Sequence, residues 1–224
     1  MSAIFLTATG TDIGKTFLAI GLIHELKRRG REAAALKPVV SGFEEWSAPA
    51  SDPARLLAAL DLPASAAEIA RIAPWRFGAP LAPDEAARRE GRTLDFAALV
   101  DFCRAEVDAF AGVTIVEGIG GVMVPLDERH TVLDWMSELG VPAVLVAGSY
   151  LGTISHTLTA FAALRQRRLA VAAIVVSGHG NAPERLADNA ASIGRFSSGV
   201  PVLAMPRLAP GAAHAVFGRL ADLV

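Results

Sequence analysis

Short apolar runs alternate with amphipathic stretches along almost the whole chain. AIFLTA at 3–8 is a strand-length apolar run, and FLAIGLIHELKRRG after it reads as a helix. That helix follows Lys15 and ends at Arg28-Arg29-Gly30, with basic side chains on its C-terminal dipole and glycine as the stop. REAAALKPVVSG predicts a second strand ending near Lys37, because Pro38 has no N–H to donate. Ser51-Asp52-Pro53 predicts a helix start, continued by ARLLAALDL. IAPWRFGAPLAP is expected to be loop. Helices are expected at 83–90 and 95–110, a strand at 112–118, a helix over Thr131–Leu139 and a strand over Pro142–Ala147. Helix Ser155–Arg167, strand Leu169–Ser177, helix Pro183–Arg195, strand Val200–Ala204 and a helix at 210–222 complete the series.

Strands alternating with helices predict an α/β fold with right-handed crossovers and a mostly parallel sheet covered on both faces. Length and the lack of repeats or linkers fit one domain over 1–224. Ligands of such sheets lie beyond the carboxyl ends of the strands. Thr9 to Thr16, Lys37 and Ser41, Glu117 to Gly121, Gly148 to Ser155, and Ser177 all follow expected strands, so they share one rim.

Bulk composition narrows the partners. The 224 residues are 52% hydrophobic and 20% charged, as in a folded globular protein. A net charge of -2 gives no basic excess to hold nucleic acid. Mean hydropathy is high at +0.40, yet LGVPAVLVAG and LAVAAIVVSG are too short to span a membrane and read as buried strands. The N-terminus lacks a signal peptide's features, and the single Cys103 suits a reducing cytoplasm. Cys103 sits between apolar neighbours in a helix and reads as packing. Trp46, Trp75 and Trp135 read as core or interface anchors, and the five histidines have no ligand spacing, so no zinc is expected.

TATGTDIGKT is the chemical signal. Gly14-Lys15-Thr16 opens a helix after a buried strand, where backbone N–H groups and the helix dipole favour an anion. Lysine reaches outer phosphates and the threonine hydroxyl suits Mg²⁺. The plain phosphate-loop motif asks for glycine at Thr9; here Gly10 lies within the loop and Ala8 precedes it. A partition-type ATPase carries a signature lysine where this chain has Gly10, which excludes that group.

TATGTDIGKT, LKPVVSG, SDPARL, APLAPDEAARREGR, VEGIGGVMVPL, DWMSELGVPAVLVAGSYLGTISHTL and AMPRL together resemble the dethiobiotin synthetase family, across nearly the whole chain. The resemblance implies a P-loop three-layer α/β/α fold and a cytoplasmic, homodimeric ligase of biotin biosynthesis. Its substrates are ATP, CO2 or bicarbonate, and 7,8-diaminononanoate; its products are dethiobiotin, ADP and phosphate. A substrate amine captures CO2 as a carbamate. The carbamate attacks the γ-phosphate to give a carbamic–phosphoric anhydride, and the second amine closes the ring.

By the same resemblance Gly10, Thr11, Asp12, Ile13, Gly14, Lys15 and Thr16 hold the nucleotide, with Ser177, Met205, Pro206 and Arg207 near its base. Thr16, Asp52 and Glu117 hold Mg²⁺, an ion suited to hard oxygen ligands. Helix capping is the competing reading of Asp52. Glu117 follows a buried apolar strand, where an unpaired carboxylate is costly, so it calls for a metal or cation. Lys37 neutralises the carbamate and the moving phosphoryl group; Lys15 and Thr11 share the catalytic work. Ser41 touches the carbamate or diamine. Gly118, Gly120 and Gly121 admit the substrate close to the backbone, or form an ordinary glycine turn. The turn at Leu151, Gly152 and Ser155 receives the substrate carboxylate across the subunit interface.

The chain departs from the family pattern at Ser155 and Ser177, where asparagine is frequent, and at Ala82 and Asp84, which replace a serine and a histidine. A partitioning switch would not need Lys37. A cobyrinic-type amidotransferase needs a glutaminase domain with a cysteine nucleophile. A simple metabolite kinase does not explain KPVVSG with VEGIGG.

Overall fold

The structure is a computed structural model that describes residues 2–178 and 183–224, without the side chains of Trp46, Ser47, Pro183 and Glu184. His179 lies outside the described residues, as does the side chain of Trp46. In chain order the elements are β1 (Ser2–Ala8), α1 (Lys15–Arg28), β2 (Ala33–Leu36), β3 (Val39–Ser41), a 3-10 turn (Glu45–Ala50), α2 (Asp52–Ala59) and α3 (Ala66–Ile72). Then come β4 (Trp75–Phe77), α4 (Pro83–Arg89), α5 (Phe96–Ala109), β5 (Val113–Glu117), α6 (Val132–Leu139) and β6 (Ala143–Gly148). The chain closes with α7 (Thr153–Gln166), β7 (Val171–Ser177), α8 (Pro183–Phe196), β8 (Val202–Met205) and α9 (Ala215–Ala221).

Among the described residues six strands form one parallel sheet in the order β2-β5-β1-β6-β7-β8. Successive strand residues point to opposite faces. Every residue of β5 and β6 is buried, so helices cover both faces, giving the three-layer α/β/α arrangement. At the centre the Phe5 ring stands edge-on to Trp135, centroids 4.8 Å apart, with neither side chain exposed. The sequence order reverses beside β1, which has β5 on one side and β6 on the other. The loop leaving β1 therefore opens at a topological switch point, where such sheets bind ligands.

Three stretches differ from expectation. Trp75–Phe77 is not loop but strand β4, paired in parallel with β3 from Val39↔Trp75 to Ser41↔Phe77. A strand of three residues between Pro74 and Pro80 is too short to show a period. α3 was not expected at all; Ser65 caps it by accepting from Glu68 N at 3.2 Å. α2 stops at Ala59, and Asp61 turns the chain with φ of 58°. Pro38 ends β2 as expected, and the break transfers the chain to the small β3–β4 sheet beside the rim.

Candidate active site

The phosphate loop hangs between β1 and α1. Asp12 (φ 58°) and Gly14 (φ 102°) both occupy the left-handed region, which curls the backbone around a concave face. α1 has neither a capping side chain nor an acidic residue in its first turn, leaving that end suited to an anion. Ile13 is buried, within van der Waals reach of the end of β6 at Gly148.

Beside this loop lies a cleft of about 730 Å³. One wall is polar, formed by Thr11, Asp12, Lys15, Thr16, Lys37, Asp52 and Glu117. The lining also includes the apolar side chains of Val40, Leu81, Pro83, Ile119 and Val124. Such a lining suits a ligand with a charged end and an aliphatic body.

Glu117 organises the polar wall. It ends β5, paired with Leu6, and is 1% exposed. Its Oε1 accepts from Lys37 Nζ and from Thr16 Oγ1, each at 2.7 Å. Its Oε2 is buried with no hydrogen-bond partner. Lys37 Nζ also donates to Gly118 O at 2.7 Å. Lys15 Nζ donates to Gly120 O at 2.8 Å and Gly10 O at 3.1 Å. Both lysines thus rest on carbonyls of one glycine turn. Burial first, and then the neighbouring Lys37 ammonium, bring the Lys15 pKa down to about 8; Glu117, Asp52 and Asp12 oppose the shift.

Ser51, not Asp52, caps α2: its Oγ accepts from Ala54 N at 3.4 Å. Asp52 is the first helical residue, and its carboxylate lines the cleft. The alternative reading of Asp52 as a cap is thereby removed. The residues present fit magnesium. Glu117 has a buried oxygen without a partner, Asp52 supplies a carboxylate, and Thr16 supplies a hydroxyl already on Glu117. Among the described residues no group of three or more His, Cys, Asp or Glu is placed to hold a metal. Magnesium in nucleotide sites does not need one, because one or two carboxylates, waters and phosphates complete its shell.

Other expected site residues are placed elsewhere. Gly120 lines the cleft, but Gly118 and Gly121 do not. A Cβ at Gly118 would meet the Phe5 ring at 2.7 Å, and one at Gly121 would meet Ala8 O and Gly10 N at 3.3 Å. At Gly120, φ is 56° and Val124 would be 2.6 Å away. Packing within the chain therefore constrains all three glycines, and Gly120 in addition lines the cleft. Ser177 is buried against Gly14, whose Cβ position lies 3.1 Å from Ser177 Oγ and 3.9 Å from Met205 Cε. Gly178 N donates to Met205 O at 2.7 Å, tying the ends of β7 and β8 beside the loop. Ser177, Met205, Pro206 and Arg207 do not line the cleft; nor do Leu151, Gly152 and Ser155. Leu151 is 95% exposed, and Gly152 (φ 93°) precedes α7, with Ser155 exposed in its first turn.

Ala82 lines the cleft, while Asp84 keeps a buried Oδ1 with no hydrogen-bond partner. Sequence reasoning missed Arg55, brought in by helix spacing, and the apolar lining, in which Val40 and Leu81 come from the β3–β4 excursion and Ile119 and Val124 from the loop after β5. Cys103 is fully buried, and burial pushes its thiol up to about 12.

The profile described as an AAA domain matches residues 2–209. A protein of Acidiphilium cryptum named ATP-dependent dethiobiotin synthetase BioD is 52% identical, over 79% of this chain and 80% of its own. One of Caulobacter vibrioides with the same name is 43% identical over 100% of this chain and 99% of its own. The chain belongs to the dethiobiotin synthetase family. The dethiobiotin synthetase fold is shared more widely. The cell division ATPase MinD of Pyrococcus furiosus superposes with a TM-score of 0.55 at 16% identity, covering 100% of this chain and 98% of that one. That likeness speaks for the fold alone. No helix among the described residues is long and apolar enough to cross a membrane.

Proposed function

We propose a division of labour in the cleft for the reaction that family membership gives this chain, ATP-dependent formation of dethiobiotin by C–N ligation. The phosphate loop, Gly10 to Thr16, holds the triphosphate, with Lys15 moving from the Gly10 and Gly120 carbonyls to the outer phosphates. Thr16, Asp52 and Glu117 hold magnesium, which neutralises phosphate charge when bound. The base lies towards Ser177, Met205, Pro206 and Arg207.

7,8-Diaminononanoate places its amines at the polar wall and its aliphatic body along Val40, Leu81 and Val124. One amine takes up CO2 as a carbamate, which Ser41 orients; its Oγ is buried without a partner, ready for one. Lys37 leaves Glu117 for the carbamate and the incoming phosphoryl group, screening two anions from each other. The carbamate oxygen bonds to the γ-phosphorus as the bond to ADP breaks. The second amine then attacks the carbonyl, expelling phosphate and closing the cyclic urea. Thr11 flanks the amines from the loop.

The substrate carboxylate is received at Leu151, Gly152 and Ser155 of a second copy. The exposed Leu151 and its absence from the cleft lining support this homodimeric arrangement. A cytoplasmic setting fits the single buried thiol.

One observation carries the reading: Lys15, Lys37, Asp52 and Glu117 meet in one cleft, with a single carboxylate oxygen shared by Lys37 and Thr16. ADP release from ATP, Mg²⁺ and bicarbonate, with and without diaminononanoate, tests it. Release that depends on the diamine and matches dethiobiotin formed is expected; release indifferent to the diamine contradicts it.

A further inference from the structure

Among the described residues three cationic side chains line the cleft: Lys15, Lys37 and Arg55. Each lysine is buried and hydrogen-bonded to main-chain carbonyls. Arg55 differs. Its side chain is 47% exposed, and its ion contact is Nη1 to Asp52 Oδ1 at 3.5 Å, a length that leaves the guanidinium donors weakly engaged. Asp52 and Arg55 are three apart on α2, so the same helix face presents both to the cleft.

Charge balance indicates what Arg55 does. The cleft carboxylates Asp12, Asp52 and Glu117 are matched by the three cations. When Asp52 and Glu117 serve a metal, Lys37 and Arg55 each lose a carboxylate partner. Two anionic groups then enter beside them, a carbamate and a γ-phosphoryl group. We infer that Arg55 contacts the γ-phosphoryl group during its transfer, as a second mobile cation alongside Lys37. This rests on the reading of the cleft given above.

The planar fork of N–H donors matches two equatorial phosphoryl oxygens, which a single ammonium does not. As the carbamate oxygen bonds to phosphorus, the electron pair of the breaking bond passes to the β-phosphate oxygen of ADP. The Arg55 fork offsets the negative charge on the moving group. It is legible as an extra only in three dimensions, because SDPARL reads in sequence as an ordinary helix start.

Arg55→Ala and Arg55→Lys test the inference. Arg55→Ala is expected to lower kcat about a hundredfold. It should weaken a non-hydrolysable ATP analogue about tenfold by calorimetry and leave Mg-ADP affinity unchanged. Arg55→Lys should recover only part of kcat, and added guanidinium should raise the rate of Arg55→Ala but not of the wild type. A residue that merely tethers Asp52 would weaken Mg-ADP and the ATP analogue equally and show no guanidinium rescue; either result overturns the inference. So does wild-type turnover by Arg55→Ala. Failure of the wild type itself to make dethiobiotin would instead overturn the functional reading.

Discussion

The Lys37 ammonium lies 2.7 Å from Glu117 Oε1 in a pair whose side chains are 5% and 1% exposed. In the absence of nucleotide each charge is compensated by the other. An isolated charge of either sign would be costly at so buried a place.

Breaking this pair on one side should destabilise the nucleotide-free protein. Lys37→Met leaves a buried carboxylate with only the Thr16 hydroxyl, and a loss of about 3 kcal/mol is expected. The double variant Lys37→Met with Glu117→Gln removes the uncompensated charge and should recover most of that loss. Urea unfolding of the single and double variants measures both. A single variant as stable as the wild type would mean that the pair is not compensated as described.

The buried Lys15 makes stability depend on pH. Its folded pKa of about 8 lies below the usual 10.5. Between these values the unfolded chain binds the proton and the folded chain does not, so stability rises with pH across that window. Below pH 8 both states are protonated and the gain is absent. The rise should total about 3 kcal/mol and be missing in Lys15→Met, by denaturant midpoints at pH 7.5, 9 and 10.5 compared between the two proteins. Phosphate binding favours the charged lysine, so ATP affinity should weaken above pH 8, with proton uptake seen by calorimetry in two buffers.

Glycine positions near the loop should separate by packing. Gly118→Ala places a methyl 2.7 Å from the Phe5 ring, which is held against Trp135, and should cost about 1–3 kcal/mol. Gly10→Ala meets nothing within 4 Å and lies outside the positive-φ glycines, so its folding stability should be unchanged. Equal melting temperatures for the two variants would contradict this account.

The main sheet was legible because its strands are buried on both faces and read as unbroken apolar runs, as in VAAIVVS. Lys15, Lys37 and Glu117 were legible because they follow strand ends, whereas Asp52 opens α2 after a 3-10 turn. The small β3–β4 sheet was not, since three-residue strands show no period, and with it went the placement of Val40 and Leu81 in the cleft. The capping role of Ser51 was equally hidden: serine and aspartate side by side offer two caps, and only the helix register decides between them. The glycines of VEGIGG also carry packing constraints, from Phe5, Val124 and the phosphate loop, that the sequence alone does not display.

Lys37→Ala removes the ammonium proposed to pass from Glu117 to the reacting anions. Dethiobiotin formation should fall by about a thousandfold, while ATP affinity by calorimetry stays within about threefold of the wild type, a difference below 1 kcal/mol. Near-normal dethiobiotin formation by this variant would contradict the account.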